Sequence, residues 1–132
     1  LVNAACADYA GETLLFEGKY GSAGTATISR ESNAWLDEVR TMTRYAVKVV
    51  RLKEALEKEG VPPEFAVLAI DAEHMDYQVL LGLELGRAYR PEAIITEDCG
   101  FAADELKYRL LKDSGYALML KLQANSIWRR TR

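Results

Sequence analysis

Six consecutive apolar residues, Phe65-Ala66-Val67-Leu68-Ala69-Ile70, stop abruptly at Asp71-Ala72-Glu73-His74, and this junction constrains the fold more than any other feature. The run has the length of a strand and no polar alternation, which predicts burial on both faces, as in the middle of a parallel sheet. Beyond it, Met75, Val79, Leu80 and Leu83 mark one face of a helix ending near Gly86. Pro91 then introduces the strand Ala93-Ile94-Ile95-Thr96. Strand, helix, strand in that order implies a parallel pair joined by a right-handed crossover.

The rest of the chain extends this pattern. Leu1-Val2-Asn3-Ala4-Ala5-Cys6-Ala7 reads as an opening strand, Asp8-Tyr9-Ala10-Gly11 as a turn, and residues 12–17 as a second β-rich piece. A loop is expected around Gly18, Gly21 and Gly24, then a weakly specified helix over residues 29–42 carrying Leu36, Val39 and Met42. Tyr45-Ala46-Val47-Lys48-Val49-Val50 is β-branched, and Leu52, Ala55 and Leu56 follow at helical spacing until Gly60 and Pro62-Pro63. Ala103, Leu106 and Leu110 give a further helix with Gly115 at its C-terminal end. Residues 116–122 and 126–130, turned at Asn125, form a closing antiparallel hairpin, whereas the earlier strands are expected to be parallel. The fold class is therefore α/β, a sheet covered by helices.

At 132 residues, 49% of them apolar and 28% charged, the chain has the size and composition of one globular domain. Its net charge of −3 offers no general attraction to nucleic acid or to anionic lipid. No apolar stretch approaches the roughly 20 residues of a membrane-spanning helix. Cys6 and Cys99 have no Cys-x-x-Cys partner, which suits a reduced, cytoplasmic setting.

In an open parallel sheet the ligand crevice lies outside the carboxyl ends of the strands. Two strands here end in carboxylates, Asp71-Ala72-Glu73-His74 after the first and Glu97-Asp98 after the second, and neighbouring strands would bring them onto one rim. Asp71, Glu97 and Asp98 could ligate a hard divalent cation such as Mg²⁺, or one or two of them could instead cap the following helix. Asp71, Glu73 or His74 could serve as a general base, because crowding raises a carboxylate's pKa and imidazole titrates near neutrality. His74, the only histidine, equally reads as a surface residue. Cys99, beside acidic residues, reads as structural. Trp35 and Trp128 read as packing residues, and Arg129, Arg130 and Arg132 as charges that discourage edge pairing of a terminal strand.

The order and spacing of Val67-Leu68-Ala69-Ile70-Asp71-Ala72-Glu73, Tyr77-Gln78-Val79-Leu80-Leu81-Gly82-Leu83 and Arg90-Pro91-Glu92-Ala93-Ile94-Ile95-Thr96-Glu97 resemble the FkbM-like methyltransferase family. That family is similar in its Ile-Asp-x-Glu-Gly element, its Glu/Asp-x-x-Val-Leu helix start and its Arg-Pro-x-x-Ile strand. Its Asn-Ala-Ala-x-x-Asp resembles Asn3-Ala4-Ala5-Cys6-Ala7-Asp8, and Val47-Lys48-Val49-Val50-Arg51-Leu52 and Ser114-Gly115-Tyr116 are similar to later landmarks. The resemblance implies an S-adenosylmethionine-dependent O-methyltransferase acting on a hydroxyl of a sugar, polyketide or related metabolite, on a seven-stranded Rossmann-like sheet. It places Ala7 and Asp8 at the cofactor, with Asp8 facing the adenine, and Asp71 and Glu73 at the substrate and methyl group. It also implies that the glycine-rich first turn and the acidic residue ending the second strand precede Leu1. Residues 1–132 would then be the C-terminal two-thirds of one domain, lacking its first two strands. His74 departs from the family's glycine and could crowd the methyl site or add a base. Two alternatives stand beside this reading: a non-catalytic interaction fragment that forms homo-oligomers through exposed strand edges, and a metal-dependent nucleotide-sugar glycosyltransferase using Asp71-x-Glu73.

Overall fold

In the computed structural model, residues 2–17, 43–98, 100 and 102–131 are described. The expected loop at Gly18, Gly21 and Gly24, the helix over residues 29–42, and Trp35, Cys99 and Arg132 lie outside them. Among the described residues the order is β1 (Ala5–Ala7), β2 (Gly11–Glu17), β3 (Thr43–Arg51), α1 (Leu52–Lys58), β4 (Val67–Ala69), α2 (Asp76–Gly82), β5 (Ala93–Glu97), α3 (Ala102–Asp113), β6 (Tyr116–Leu122) and β7 (Asn125–Arg130). The class is α/β, with two mixed sheets and three helices. No helix among the described residues is long and apolar enough to cross a membrane.

The first sheet has the order β1-β3-β2 and the second β4-β5-β7-β6. β1 is parallel to β3, and β4 to β5, as strands with long connections between them must often be. β2, however, runs antiparallel to β3 with Gly11 opposite Val49, so the expectation of uniformly parallel early strands is corrected. The closing hairpin forms as expected, with Tyr116 opposite Arg130 and Leu122 opposite Asn125.

The apolar run of residues 65–70 yields only a three-residue strand, and that strand is the outermost of its sheet. Val67 is 54% exposed, so burial on both faces does not occur among the described residues. Likewise β7 is interior, flanked by β5 and β6, so its arginines guard no edge. Arg130 instead donates to Glu64 at 2.9 Å and to the Arg90 carbonyl at 3.0 Å, tying the sheet to the loops before β4 and β5.

Two clusters form the core. Ile70, Val79, Leu80, Leu83, Ile94, Leu111 and Trp128 belong to the larger one, and each such buried side chain contributes about 1.5–3 kcal/mol by leaving water. Trp128 packs edge-on against Tyr108 of α3 with ring centroids 4.8 Å apart, the packing role expected of it. The smaller cluster joins Ala7, Val49 and Met75, and so seats the first sheet on the start of α2. Their closest approach is at Gly82, where a Cβ would collide with the Ala7 carbonyl oxygen; only glycine lets this strand and helix meet. α2 stops at Gly82, earlier than the expected Gly86, and the chain turns through a bridge between Leu85 and Tyr89.

α3 buries only part of the stripe its aliphatic spacing predicts, since Leu110 packs against the core. Leu106 is 44% exposed, whereas Leu111 and Lys107 are buried. Asp104 and Glu105 in its first turn and Lys112 in its last suit the helix dipole, and Gly115 closes it in the left-handed region at φ +84°.

Candidate functional site

The parallel pairing of β4 and β5 brings their carboxyl ends side by side. Ile70 N–H donates to the Ile95 carbonyl at 2.9 Å, a backbone link just past the end of β4, while β5 continues to Glu97 alongside β7. Asp71 follows, exposed, and the backbone then takes two left-handed residues, Glu73 at φ 46° and His74 at φ 75°. Each costs a side-chain-bearing residue about 1 kcal/mol, which explains why a glycine is natural at the position of His74. Glu73 is half-buried within this turn. Its carboxyl is pushed up, first by burial and then by the charges of Glu97, Asp71 and Asp76. Asp71, Glu73 and Glu97 therefore share the rim that the sequence predicts.

Asp76 was not among the residues singled out in the sequence, yet it organises the rim. At 3% exposure it is the most buried carboxylate there. Its Oδ1 accepts from Ala72 N–H at 3.0 Å and its Oδ2 from Glu97 N–H at 2.8 Å. It thus spans the gap between the two strand ends. Burial pushes its carboxyl up to about 6, against the opposing pull of those two amides and of Lys107. The expected capping of the following helix by Asp71, Glu97 or Asp98 is not what holds the rim: α2 has no side-chain cap, and Asp76 instead takes the Ala72 and Glu97 amides.

Asp98 leaves the rim. Its carboxylate accepts from Tyr108 Oη at 2.6 Å and from Ser126 Oγ, and pairs with Lys107 Nζ at 3.1 Å, its side chain only 5% exposed. Burial alone would raise this acid, but the hydrogen bonds from Ser126, Tyr108 and Lys107, with the lysine's charge, hold it below the usual carboxylate value. Lys107 itself is 2% exposed, bonds Asp104 at 2.8 Å, and donates to the Glu97 carbonyl. The set Asp71, Glu97 and Asp98 is consequently not assembled as metal ligands, because Asp98 is committed to a lysine on the α3 side. Among the described residues no three His, Cys, Asp or Glu side chains stand where they could hold a metal ion.

Ala7 and Asp8 lie elsewhere. Ala7 is fully buried with its carbonyl against Gly82. Asp8 is exposed and opens onto a cavity of about 790 Å³ that Arg51, Glu84, Arg87, Asp113 and Ser114 also line. Arg51 and Lys53 reach Glu84 across its mouth at 4.0 and 3.1 Å. The cavity sits against the end of α2, whereas the acidic rim sits at its beginning, and Asp71, Glu73, His74 and Glu97 do not line it.

Compared with known families, residues 1–124 match the Methyltransferase FkbM domain, from ahead of β1 to the end of β6. The chain belongs to the FkbM methyltransferase family. No curated protein and no solved structure matches it. In this FkbM domain the quoted motifs occupy defined places. Asp71-x-Glu73 is the turn after β4, Asp76-x-x-Val79-Leu80 is the start of α2, and Gly82 is its contact with β1. The signal for Asp76 was in the Asp-x-x-Val-Leu pattern, but its two-sided grip depends on Glu97, 21 residues away. Lys107 gave no signal at all, since a lysine on a helix normally reads as solvated.

Proposed function

We propose that this FkbM domain transfers a methyl group from S-adenosylmethionine to a hydroxyl of a sugar, polyketide or related metabolite, as a cytoplasmic enzyme with its acceptor held at the rim beyond β4 and β5. The observation that carries the reading is the crowding of Glu73 by Glu97, Asp71 and Asp76 at the paired strand ends, which raises its proton affinity. A hydroxyl is a poor nucleophile until its proton has somewhere to go, and a carboxylate poised above its usual pKa is a suitable acceptor for it. Glu73 takes that proton. Asp71, exposed beside it, orients the hydroxyl, and His74, on the next left-handed residue, is the second base within the turn. S-adenosylmethionine supplies the electrophilic methyl group. The described residues do not by themselves assemble that cofactor's site, because Asp8 and its cavity are separate from the rim. The role derived for the rim is proton handling and orientation.

The same reading joins the two sheets into one Rossmann-like sheet within a single domain. Among the described residues β1 and β4 are both outermost strands with a parallel neighbour behind them, an arrangement that supports two further parallel strands between their edges. A second reading, a non-catalytic interaction domain that self-associates, is favoured by the apolar outer strand β6, where Leu118, Met119, Leu120 and Leu122 are all exposed.

Calorimetric titration discriminates these readings. Saturable binding of S-adenosylhomocysteine by the complete enzyme supports the methyltransferase. Binding of UDP with Mg²⁺, and none of S-adenosylhomocysteine, would overturn it in favour of nucleotide-sugar chemistry.

A further inference from the structure

The Glu97 backbone is held at both its N–H and its carbonyl by charged groups that have almost no exposure to solvent. Its N–H donates to Asp76 Oδ2 at 2.8 Å, and its carbonyl accepts from Lys107 Nζ. Neither contact is an ordinary strand-end bond, because in a sheet these groups would find a neighbouring strand or water. Both partners are costly to bury, Asp76 at 3% and Lys107 at 2% exposure, and a buried charge is retained only where it is paired and hydrogen-bonded. Lys107 satisfies that condition through Asp98 and Asp104, 3.1 and 2.8 Å away. Asp76 satisfies it by taking a second amide, Ala72 N–H at 3.0 Å, inside the turn that carries Asp71, Glu73 and His74. The α2 N-cap, Met75, makes no side-chain bond, and the Asp76 carboxylate next to it bonds across to β5.

We propose that Asp76 and Lys107 are positioning residues of the acidic rim, gripping the Glu97 backbone at its N–H and its carbonyl and locking it to the 71–74 turn so that Glu97 and Glu73 keep a fixed relation. This assignment rests on the proposed role of the rim in methyl transfer. Neither residue need touch the acceptor; they act through Glu97 and Ala72. Because Asp76 bonds one amide with each oxygen, an amide side chain of the same shape can serve only one of them, its NH₂ facing the other N–H.

The test compares wild type, Asp76→Asn and Asp76→Glu in the complete enzyme. Under the proposal, Asp76→Asn lowers kcat for methyl transfer at least tenfold while KM for S-adenosylmethionine and the melting temperature at neutral pH stay near wild type, and Asp76→Glu restores part of the loss. Wild-type kcat in Asp76→Asn, or a loss of activity that only tracks a loss of folded protein, would overturn it. ¹⁵N relaxation of the amides at 71–74 and at Glu97 supplies a readout independent of turnover. The grip requires that Asp76→Asn loosens both segments together while the core amides of Ile94 and Leu111 are unmoved, and unchanged relaxation at both overturns it. Absence of methyl transfer in wild type would count against the methyltransferase reading, and the relaxation measurement would still decide the grip.

Discussion

At the scale of single residues, the rim is an arrangement in which backbone amides and buried charge oppose each other, and Asp76 shows the balance. Its folded-state pKa of about 6 lies above the ordinary 3.8, so the protonated form is favoured on folding. The stability this contributes is present in full below the ordinary value and is lost as pH rises through about 6, a change of at most roughly 3 kcal/mol. Asp98 works in the opposite direction, since its lowered pKa gives stability that persists above the ordinary carboxylate value and disappears only in stronger acid. Asp76→Asn removes the pH-dependent part and forfeits one of two amide bonds, worth about 1–3 kcal/mol. Urea unfolding should therefore find the variant clearly less stable than wild type near pH 4.5 and close to it near pH 7.5. An equal difference at both pH values would show that Asp76 does not titrate in this window. In the sequence, Asp71 and Glu73 were legible because they end an apolar run. Asp76 was less so, since its partners lie on two different strand ends, and only the fold brings Ala72 and Glu97 to it.

At the scale of elements, α3 illustrates how a helix can bury a face that its aliphatic spacing only partly marks. Ala103, Leu106 and Leu110 suggest one stripe, but the helix is rotated so that Lys107 and Leu111 face the sheet and Leu106 faces solvent. The rotation follows from pairing: Lys107 meets Asp98 at the end of β5, Tyr108 bonds Asp98 and packs edge-on against Trp128, and Ser126 on β7 completes the network. Lys107→Met would remove the buried cation shared by Asp98 and Asp104, leaving Asp98 with the hydroxyls of Tyr108 and Ser126 and with Lys121, 3.5 Å away and largely exposed. Stripping a buried ion cluster of its cation costs about 3–5 kcal/mol, a large share of a domain's total. Denaturant unfolding of Lys107→Met should show a loss of that order, and a loss below about 1 kcal/mol would mean the network is not stabilising. β4 gives the complementary lesson. Its composition is that of a strand buried on both faces, and the expectation followed from that composition, but among the described residues it has β5 on one side and no strand on the other.

At the scale of the whole molecule, class and order were legible from periodicity, because each described helix and strand falls on an apolar pattern and the β4–α2–β5 unit pairs in parallel. The division into two sheets was not, because the antiparallel pairing of β2 with β3 leaves no mark on either segment's own pattern. One face of the larger sheet is covered, with Leu68, Ile94 and Trp128 in register beneath the helices. The other carries the row Ala69, Ile95, Ile127 and Leu120, also in register across all four strands and half-buried or exposed among the described residues. With the apolar outer strand β6, where Met119 is 59% exposed, this is the surface on which the proposed self-association would rest. Sedimentation velocity over a range of concentrations should show oligomers that Met119→Lys and Leu120→Lys weaken. A strictly monomeric chain at high concentration would remove the self-association reading.

The proposed function comes down to one claim, that Glu73 accepts the proton of an acceptor hydroxyl during methyl transfer. The most direct measurement is incorporation of a labelled methyl group from S-adenosylmethionine into hydroxyl-bearing sugars and polyketides by the complete enzyme, comparing wild type with Glu73→Gln at matched folded concentration. The account expects transfer by wild type and a loss of about a hundredfold or more in Glu73→Gln, the usual contribution of a general base. Transfer by Glu73→Gln at the wild-type rate would contradict it.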